Sequence, residues 1–470
     1  MTRYPRVRVR NCFVRLLGAI FVVAFWSLGR QVVLLYGERG LEPACPVAAR
    51  ALETVFRLHC SDAWLWWGTV AGAGLGVVLA LGRVPRWTLV ACWALYLSYV
   101  RIGQDFLSFQ WDNLLLESAF FAFFVTPGGW HLRDAPPPHP LGVFLMQWLL
   151  FRLYVESGLA KLLLGDPTWR DLTAMSTYYE TAPLATWVGW YVHQLPMWAH
   201  RGMGMLTLAV ELGVPFFMWG PRRLRPLACA LMAGFQVVVL ATGNYGFFNY
   251  LSLALCLWIL DDGHLDSLLV WLGRPIRPPA EPRSSPAATV AIAIATAVLV
   301  PLSLLPFLPF FGAARPLARA LLPVSAAVEQ LRSINAYHLF AQMTLVRREP
   351  VIEGSDDGVT WRAYELHYEP GDVDRPPPFV APHQPRVDFQ IWFLLLGRGL
   401  ARWFLTLLDR MRHDPSAVAP LFARDPFGGA PPRFLRLAVY RYRFTDAATR
   451  ARTGSWWTRD LEGVSRPIGE

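Results

Sequence analysis

Lysine is almost absent from this sequence, because 44 residues are lysine or arginine and only one of them, Lys161, is lysine. There is no Asn-x-Ser/Thr sequence and no Cys-x-x-Cys motif, which excludes an N-glycosylation acceptor and a thioredoxin-like redox motif. The arginines do not form a stripe with interleaved aromatics, so a nucleic-acid partner is not expected. His338, His367 and His383 lack metal-ligand spacing, and the sequence implies no metal and no other cofactor.

The sequence is rich in long apolar runs. Of its 470 residues, 54% are hydrophobic and 14% aromatic, which is beyond the range of an ordinary soluble protein. Runs long enough to cross a bilayer predict a polytopic α-helical membrane domain at 1–312 with about nine spans. The predicted spans are 12–36, 64–82, 87–104, 106–127, 141–164, 203–220, 226–242, 245–260 and 287–312.

Arginine-rich connections predict the orientation of these spans. Arginines cluster before the first span, at 83–86, at 222–225 and in the linker 263–286. By the positive-inside rule these four stretches are cytoplasmic, as is the N-terminus, and nine crossings place residues 334–470 outside. The arginine, alanine and proline bias favours a bacterial inner membrane, whereas a eukaryotic source would mean the endoplasmic reticulum membrane.

The composition changes at about residue 334, and 334–470 is predicted to be a soluble extracytoplasmic domain of α+β or β-sandwich-like fold. Residues 351–353 and 359–368 flank a turn at 354–358 and are predicted to form strands, as is 440–444. Helices are expected at 389–412 and 417–422. Cys45 and Cys60, in the loop between the first two spans, are expected to form a disulfide, and the alternative is two free thiols.

Charged residues inside the span 141–164 are the first candidates for function. A charge at membrane depth costs a few kcal/mol and usually faces a protein interior or a water-filled cavity. Arg152 and Glu156 are four residues apart and are expected to pair. Lys161 is the candidate catalytic base, because a lysine loses its proton more readily on burial than an arginine does. The alternative is a lysine that anchors the helix end at the membrane surface.

Other polar residues are placed near the same membrane level. Tyr154 lies on the face of Lys161, and a polar segment follows that helix directly. A second polar cluster lies in the span 106–127, and two asparagines flank the turn before the span 245–260. The predicted polar cavity therefore comprises Arg152, Tyr154, Glu156, Asp112, Asn113, Glu117, Asp166, Trp169, Arg170, Asp171, Asn244 and Asn249.

Several motifs, in order along the chain, resemble those of the lipase maturation factor family. They are WDNLLLES at 111–118, GLAK at 158–161, GDPTWRDL at 165–172, YYET at 178–181, NYGFFN at 244–249, IN at 334–335, EGSDDG at 353–358, APHQPR at 381–386, YRYRFT at 440–445 and WW at 456–457.

This resemblance implies a membrane-embedded factor for folding and assembly of exported lipases or other secreted proteins. Animal members are proteins of the endoplasmic reticulum membrane whose lumenal C-terminal domain associates with the client lipase. By that resemblance the expected partners are the lipid bilayer and an exported protein client, with a lipase as the candidate client. The regions expected to contact the client contain Asp356, Asp357, Trp361, His383 and Arg386.

A shorter resemblance gives the alternative function. Gly158-x-x-Lys161 and Asp166-x-x-Trp169 are similar to the membrane domain of vitamin K-dependent gamma-carboxylases, in which such a lysine acts as a base. The alternative is therefore an intramembrane enzyme that acts on a lipophilic small molecule or a protein client with Lys161 as base. It predicts that Lys161→Arg loses activity, whereas the folding-factor hypothesis predicts that this variant is harmless.

Overall fold

The computed structural model describes residues 5–51, 53–271, 286–397 and 399–469. Most of the linker predicted at 263–286 therefore lies outside the described residues. Up to residue 329 the described chain is helical. Its α-helices are α1 (Val7–Gly29), α2 (Val32–Tyr36), α3 (Cys45–Ala48), α4 (Asp62–Ala80), α5 (Pro85–Ile102), α6 (Gln110–Ala122), α7 (Pro140–Leu163), α8 (Pro167–Arg170), α9 (Ala174–Thr181), α10 (Trp187–His193), α11 (Met197–Leu212), α12 (Arg225–Thr242), α13 (Phe248–Cys256), α14 (Asp262–Trp271), α15 (Pro286–Leu302), α16 (Arg315–Ala320) and α17 (Leu322–Glu329).

Within the described residues, five helices are long and apolar enough to cross a membrane, so the predicted nine spans are not confirmed. They are Val7–Gly29, Asp62–Ala80, Pro140–Leu163, Arg222–Thr242 and Pro286–Phe310. Helices also form at the other four predicted positions, but α6 has 13 residues, α11 has 16 and α13 has 9. At 1.5 Å per residue these are shorter than a hydrocarbon core of about 30 Å. Helix α5 has 18 residues and carries Arg86 and Arg101.

Helix α7, with 24 residues, has clear start and stop signals. Pro140 occupies its first turn, where a missing backbone N–H costs nothing, and the His139 side chain accepts the N–H of Leu141. At the other end Gly165 adopts a left-handed conformation with φ +74°, and Asp166 then caps α8. The chain therefore turns sharply just after Lys161.

Helices α1 and α4 pack closely through glycine. A Cβ atom built on Gly18 of α1 would lie 2.4 Å from the Ala80 nitrogen of α4. The two helix backbones could not approach this closely with any larger residue, which is a common role of small residues in membrane bundles.

Arginine-rich segments from the start of α1 and from the loop before α12 lie at one end of the bundle. The Asp262 carboxylate accepts the backbone N–H groups of Val7, Arg8 and Val9 at the start of α1. Arg222 pairs with Asp261 at 2.9 Å. The opposite end of the bundle, where α1 and α7 end, contacts the C-terminal region.

The C-terminal region is built on a four-stranded antiparallel sheet of order β2-β1-β5-β6 and has a separate pair β3-β4. Helices α18 to α20 complete it, which matches α+β rather than two stacked sheets of similar size. The elements are β1 (Arg347–Ser355), β2 (Arg362–Ala363), β3 (Glu365–Leu366), α18 (Arg386–Ile391), α19 (Arg402–His413), β4 (Phe422–Arg424), β5 (Phe434–Phe444), α20 (Ala447–Thr453) and β6 (Trp457–Val464).

Two local predictions in this region need correction. The predicted helix at 389–412 is two helices, α18 and α19, because the intervening chain contains Gly397 and Gly399, and glycine disfavours a helix interior. The helix expected at 417–422 is instead a short 3-10 turn, Ala419–Leu421, that leads into β4. The strand-turn-strand prediction at 351–368 corresponds to the antiparallel pair of β1 and β2, which pairs Glu353 with Ala363.

The apolar core is continuous from the membrane helices into the C-terminal region. Phe106 packs on Trp403 of α19, and Phe109 packs on Phe389 of α18, with ring centroids 5.2 and 5.0 Å apart. At the edge of this core, where Cys60 packs against it, Cys45 and Cys60 form a disulfide.

Candidate functional site

The charged side chains of α7 lie where the membrane helices meet the C-terminal region. Arg152 pairs with Glu117 of α6 and lies 3.6 Å from Glu156 one turn along its own helix. Its guanidinium also donates to the carbonyl oxygens of Ser303 and Asn335, at 2.8 and 3.0 Å. All three charged residues are buried, so the pairing offsets the desolvation that burial costs.

The two carboxylates of this Arg152 cluster also bind the backbone that follows the last membrane helices. Glu117 accepts both the backbone and the side-chain N–H of Asn335 at 3.0 Å, and the Tyr337 hydroxyl at 2.8 Å. Glu156 accepts the Tyr337 backbone N–H at 3.0 Å. The Arg152 cluster therefore fixes the first residues of the segment 333–343, called the connecting segment.

Lys161 fixes the next part of the connecting segment. Its Nζ lies 2.8 Å from a Glu211 carboxylate oxygen of α11 and donates to the Leu339 carbonyl at 2.9 Å and the Ser157 carbonyl at 3.4 Å. The Trp169 ring lies 5.1 Å from the ammonium in a cation–π contact. Lys161 is 2% exposed, so it does not extend to the membrane surface as an anchor would.

The polar segment after α7 completes this Lys161 cluster. The Trp169 indole donates to the Phe340 carbonyl at 2.8 Å, and Asp166 accepts the Met343 backbone N–H at 2.7 Å. Hydrogen bonds from Thr168 and Met343 outweigh the effect of burial and lower the pKa of Asp166. Arg170 and Asp171, predicted to belong to the same cavity, are exposed.

A third group of contacts centres on Arg386. Its guanidinium binds both carboxylate oxygens of Asp112 at 2.8 Å, and Asp112 also accepts the Tyr96 hydroxyl at 2.5 Å. Burial alone would lower the pKa of Arg386, but the Asp112 charge outweighs burial and raises it. The backbone N–H of Arg386 donates to Gln31 at 3.0 Å, close to the end of α1.

Hydrogen bonds to the membrane helices also hold the rest of the 378–386 loop in place. His383 Nδ1 lies 2.9 Å from the Ser27 hydroxyl, and burial followed by the charge of Arg30 lowers the His383 pKa to about 4, so the imidazole is neutral at pH 7. The Asn244 side chain accepts the N–H groups of Val380 and Ala381 at 2.7 and 3.0 Å.

The remaining predicted residues lie near one cavity. Tyr154 and Asn249 belong to a hydrogen-bonded chain through Gln236, with distances of 3.0 and 2.8 Å. Tyr154 and Gln236, together with Asn113, border a cavity of about 530 Å³ between the membrane helices and α18. The structure thus brings most of the predicted polar cavity together, but as contacts between segments rather than around one open space.

The residues expected to contact a client also separate. His383 and Arg386 are buried against the membrane helices. Asp356 and Asp357 are exposed in the β1–β2 turn, and Trp361 beside them is half-buried under Arg436, whose guanidinium lies 4.2 Å from its ring. Hydrogen bonds from the backbone of Thr360 and Val359 lower the pKa of Asp357, so it remains a carboxylate.

Sequence reasoning missed Arg347, which anchors β1. It donates to the carbonyls of Ala182 and Pro183 at 2.5 and 3.0 Å and pairs with Glu349 at 2.6 Å and with Glu369 at 3.4 Å. Burial, and for Glu369 also the charge of Glu349, raises the pKa of both acids. Arg347 and Glu349 are two apart in a strand and so share one face, which was the available signal. Among the described residues, no group of three His, Cys, Asp or Glu side chains could hold a metal ion.

The contacts between the membrane helices and the C-terminal region are called the junction. Comparisons with known proteins match the chain on both sides of it. The family model described as "Lipase maturation factor transmembrane domain" matches residues 8–267, and "Lipase maturation factor C-terminal domain" matches 333–467. The chain belongs to the lipase maturation factor family. It is 32% identical to Lipase maturation factor 2 of Rattus norvegicus, over 96% of this chain and 81% of the relative.

Other relatives in the family match over similar lengths. Lipase maturation factor 2 of Homo sapiens is 31% identical over 96% of this chain and 81% of its own length. Lipase maturation factor 1 of Mus musculus is 30% identical over 97% of this chain and 86% of its own length. No solved structure matches the chain.

Membership of the lipase maturation factor family assigns a membrane-embedded folding and maturation role. The alternative of an intramembrane enzyme is not favoured. The contacts described above join the two parts that the family models match, because Glu117, Arg152 and Lys161 lie in one match and Asn335, Tyr337 and Arg386 lie in the other.

Proposed function

We propose that this lipase maturation factor homologue acts on an exported lipase, and that its C-terminal region contacts the client while the membrane helices hold that region in place. The observation that carries the proposal is the match to relatives named lipase maturation factors over 96% of the chain. The three contact clusters support it, since they fix the connecting segment and the 378–386 loop to the bundle at buried charges.

The distribution of arginine supports an orientation for this arrangement. Arg8 and Arg222 lie at the bundle end that carries Asp262, and the C-terminal region contacts the other end. By the positive-inside rule the arginine-rich end is cytoplasmic, which places the C-terminal region on the exported side with its client. The compositional bias supports a bacterial inner membrane. In a eukaryotic cell the same orientation would direct this region into the lumen of the endoplasmic reticulum.

We place the client contact at the exposed β1–β2 turn and the sheet face beside it. Val359 at the tip of the turn is 82% exposed, and Trp361 and Arg436 stack next to it. Tyr440 and Arg459 continue this face, with the guanidinium 4.6 Å from the ring. Tryptophan, tyrosine and arginine are the residue types that most often dominate binding energy at protein interfaces.

The surroundings of Lys161 support a positioning role for it rather than a role as base. All three N–H bonds of its ammonium have an acceptor, in Glu211, Leu339 and Ser157. A general base needs a neutral amine with a free lone pair directed at the substrate. Here the side chain instead links α7, α11 and the connecting segment.

The decisive experiment compares secreted lipase activity, per amount of secreted lipase, in a deletion strain carrying different copies of the gene. The double variant Trp361→Ala with Arg436→Ala is expected to lower that specific activity severalfold with normal levels of the factor in the membrane. Trp130→Ala is the matched control, because Trp130 is 77% exposed in the loop before α7, away from the C-terminal region. Full lipase activity in the deletion strain itself would disprove the proposed function.

A further inference from the structure

Helices α11 and α12 pack against each other over only part of their length. Between them lies a cleft of about 320 Å³. Leu206 and Val210 of α11 form one wall, and Leu231, Phe235 and Val238 of α12 form the other. A volume of this size lies at the lower end of the range of about 300–1,000 Å³ that is usual for small-molecule sites.

The cleft opens to the side of the bundle that faces the bilayer. Leu206 and Val238 at its rim are 57% and 55% exposed, and α12 belongs to a segment long and apolar enough to cross the membrane. The hydrocarbon core contains no water to fill such a space. Lipid tails are the molecules that meet an apolar opening at this depth.

The floor of the cleft is buried and belongs to the junction described above. Tyr178 and Tyr179 of α9 are 6% and 1% exposed, and both line it together with Phe340 of the connecting segment. Among the described residues, the charged ones that line it are Lys161 and Glu211, and they neutralise each other at 2.8 Å. The cleft therefore offers an apolar occupant no unpaired charge, which matches a hydrocarbon tail and not a free ion.

A glycine in the wall shows that the space is available. Gly234 of α12 lines the cleft, and a Cβ atom built on it meets no heavy atom within 4 Å. A Cβ atom at Gly234 therefore meets no steric obstacle at the cleft. The same test at Gly74, on the exposed side of α4, also meets nothing within 4 Å.

We propose that this cleft binds one acyl chain of a bilayer phospholipid, taken from the leaflet next to the C-terminal region. The lining residues of α12 run from Ala230 to Thr242, towards the end of the helix that meets Thr186 and Asn244. The bound tail packs against Phe340 and Trp169, both of which are tied to the Lys161 cluster. Because a ligand that binds only the folded state stabilises it, the lipid stabilises the junction between the two regions.

The test uses the full-length protein reconstituted in phosphatidylcholine vesicles that contain a phosphatidylcholine with a photoactivatable group in one acyl chain. After illumination, labelled peptides are mapped by mass spectrometry. Label is expected on the peptide that contains Tyr178 and Tyr179, which are buried from the bilayer except through the cleft. Gly234→Phe is expected to reduce that label severalfold, and the matched variant Gly74→Phe is expected to leave it unchanged.

The labelling map of the unaltered protein decides the proposal even if Gly234→Phe fails to fold. Label confined to outward residues that do not line the cleft, such as Val237 and Trp67, with none at Tyr178 or Tyr179, would overturn it. Label at the tyrosines from a photoactivatable free fatty acid, but not from the phospholipid, would also overturn it. The labelling does not depend on lipase yield, so its outcome tests the lipid site separately from the proposed client.

Discussion

Arg386 and Asp112, 274 residues apart in sequence, form a two-point ion pair in which both N···O distances are 2.8 Å. The guanidinium residue is 1% exposed and the carboxylate residue is fully buried. This pair joins the start of α18 to α6, so the C-terminal region is attached to the membrane helices by a desolvated charge contact. Removing one partner, or shifting the two regions relative to each other, would leave a buried charge unpaired, and an unpaired buried charge is strongly destabilising.

Arg386→Ala is therefore expected to destabilise the protein by about 3–5 kcal/mol, since it leaves Asp112 buried without a cation. Arg386→Lys keeps the charge but loses the two-point geometry, so its loss should be smaller but measurable. Thermal unfolding of the purified full-length protein, together with limited proteolysis of the 378–386 loop, measures the loss of stability in both variants. Arg348→Ala removes an exposed pair with Glu462 and is the control, with an expected change below about 1 kcal/mol. Equal stability of Arg386→Ala and the control would contradict the prediction.

The Lys161–Glu211 pair gives a second prediction. Lys161→Met should destabilise the junction by about 3–5 kcal/mol, and Lys161→Met combined with Glu211→Met should recover most of that loss, because no buried charge is then left unpaired. Thermal unfolding and secreted lipase activity are measured on the single and double variants. Recovery of both readouts in the double variant indicates a positioning role. Recovery of stability without recovery of lipase activity would show that the ammonium itself is required.

The sequence was sufficient to locate buried charge and to predict the Arg152–Glu156 pair within one helix, but not to predict the pairs between distant segments. Arg152, Glu156 and Lys161 stood out because each interrupts an apolar helix. Their partners in the connecting segment are mostly backbone groups about 180 residues away, which no local pattern identifies. Asp112 and Arg386 were both singled out but assigned to different sites, because spacing within one element carries no information about contacts between distant elements.

The predicted number of nine spans is not confirmed for a related reason. Hydrophobicity predicted a span at 106–127, but the structure begins α6 at Gln110 and ends it at Ala122. In this bundle α6 is enclosed by other helices and by α18, so its apolar residues, such as Leu115 and Phe121, are buried in protein rather than in lipid. An apolar run of this length is equally compatible with a buried core helix. Ser27 and Gln31 were missed because single uncharged polar residues near a helix end are ordinary.

Asp388 makes the stability of the C-terminal region depend on pH. Burial raises its pKa to about 7, although the carboxylate accepts the Tyr368 backbone N–H at 2.9 Å. In the unfolded chain an aspartate has a pKa of about 4. Between these values the folded state holds a proton that the unfolded state has lost, so the free energy of unfolding falls as pH rises from about 4 to about 7 and then levels off.

Asp388→Asn should remove this pH dependence while keeping an acceptor for Tyr368. The measurement is the difference in unfolding temperature between the unaltered protein and the variant at several pH values. The variant is expected to gain stability, relative to the unaltered protein, steadily from pH 4 to pH 7. Asp460→Asn, an exposed change on β6, is the matched control. A difference that stays constant over this range would refute the assignment.

The disulfide between Cys45 and Cys60 closes a loop between α2 and α4, with 15 residues of sequence separation. It lies at the bundle end where α1 ends and the C-terminal region docks, since Arg39 of the same loop pairs with Asp414. Disulfides form in oxidising compartments, so the bond should be present in protein isolated without reductant if this end faces the exported side. Mass spectrometry of peptides alkylated before reduction checks this.

The double change Cys45→Ser and Cys60→Ser should lower the free energy of unfolding by up to about 3 kcal/mol, because the disulfide restricts the unfolded chain over a loop of about 15 residues. Cys12→Ser, an exposed free thiol near the start of α1, is the control with little expected effect. Alkylation of Cys45 and Cys60 before reduction would instead place this end of the bundle in a reducing compartment, and the proposed orientation would have to be reversed.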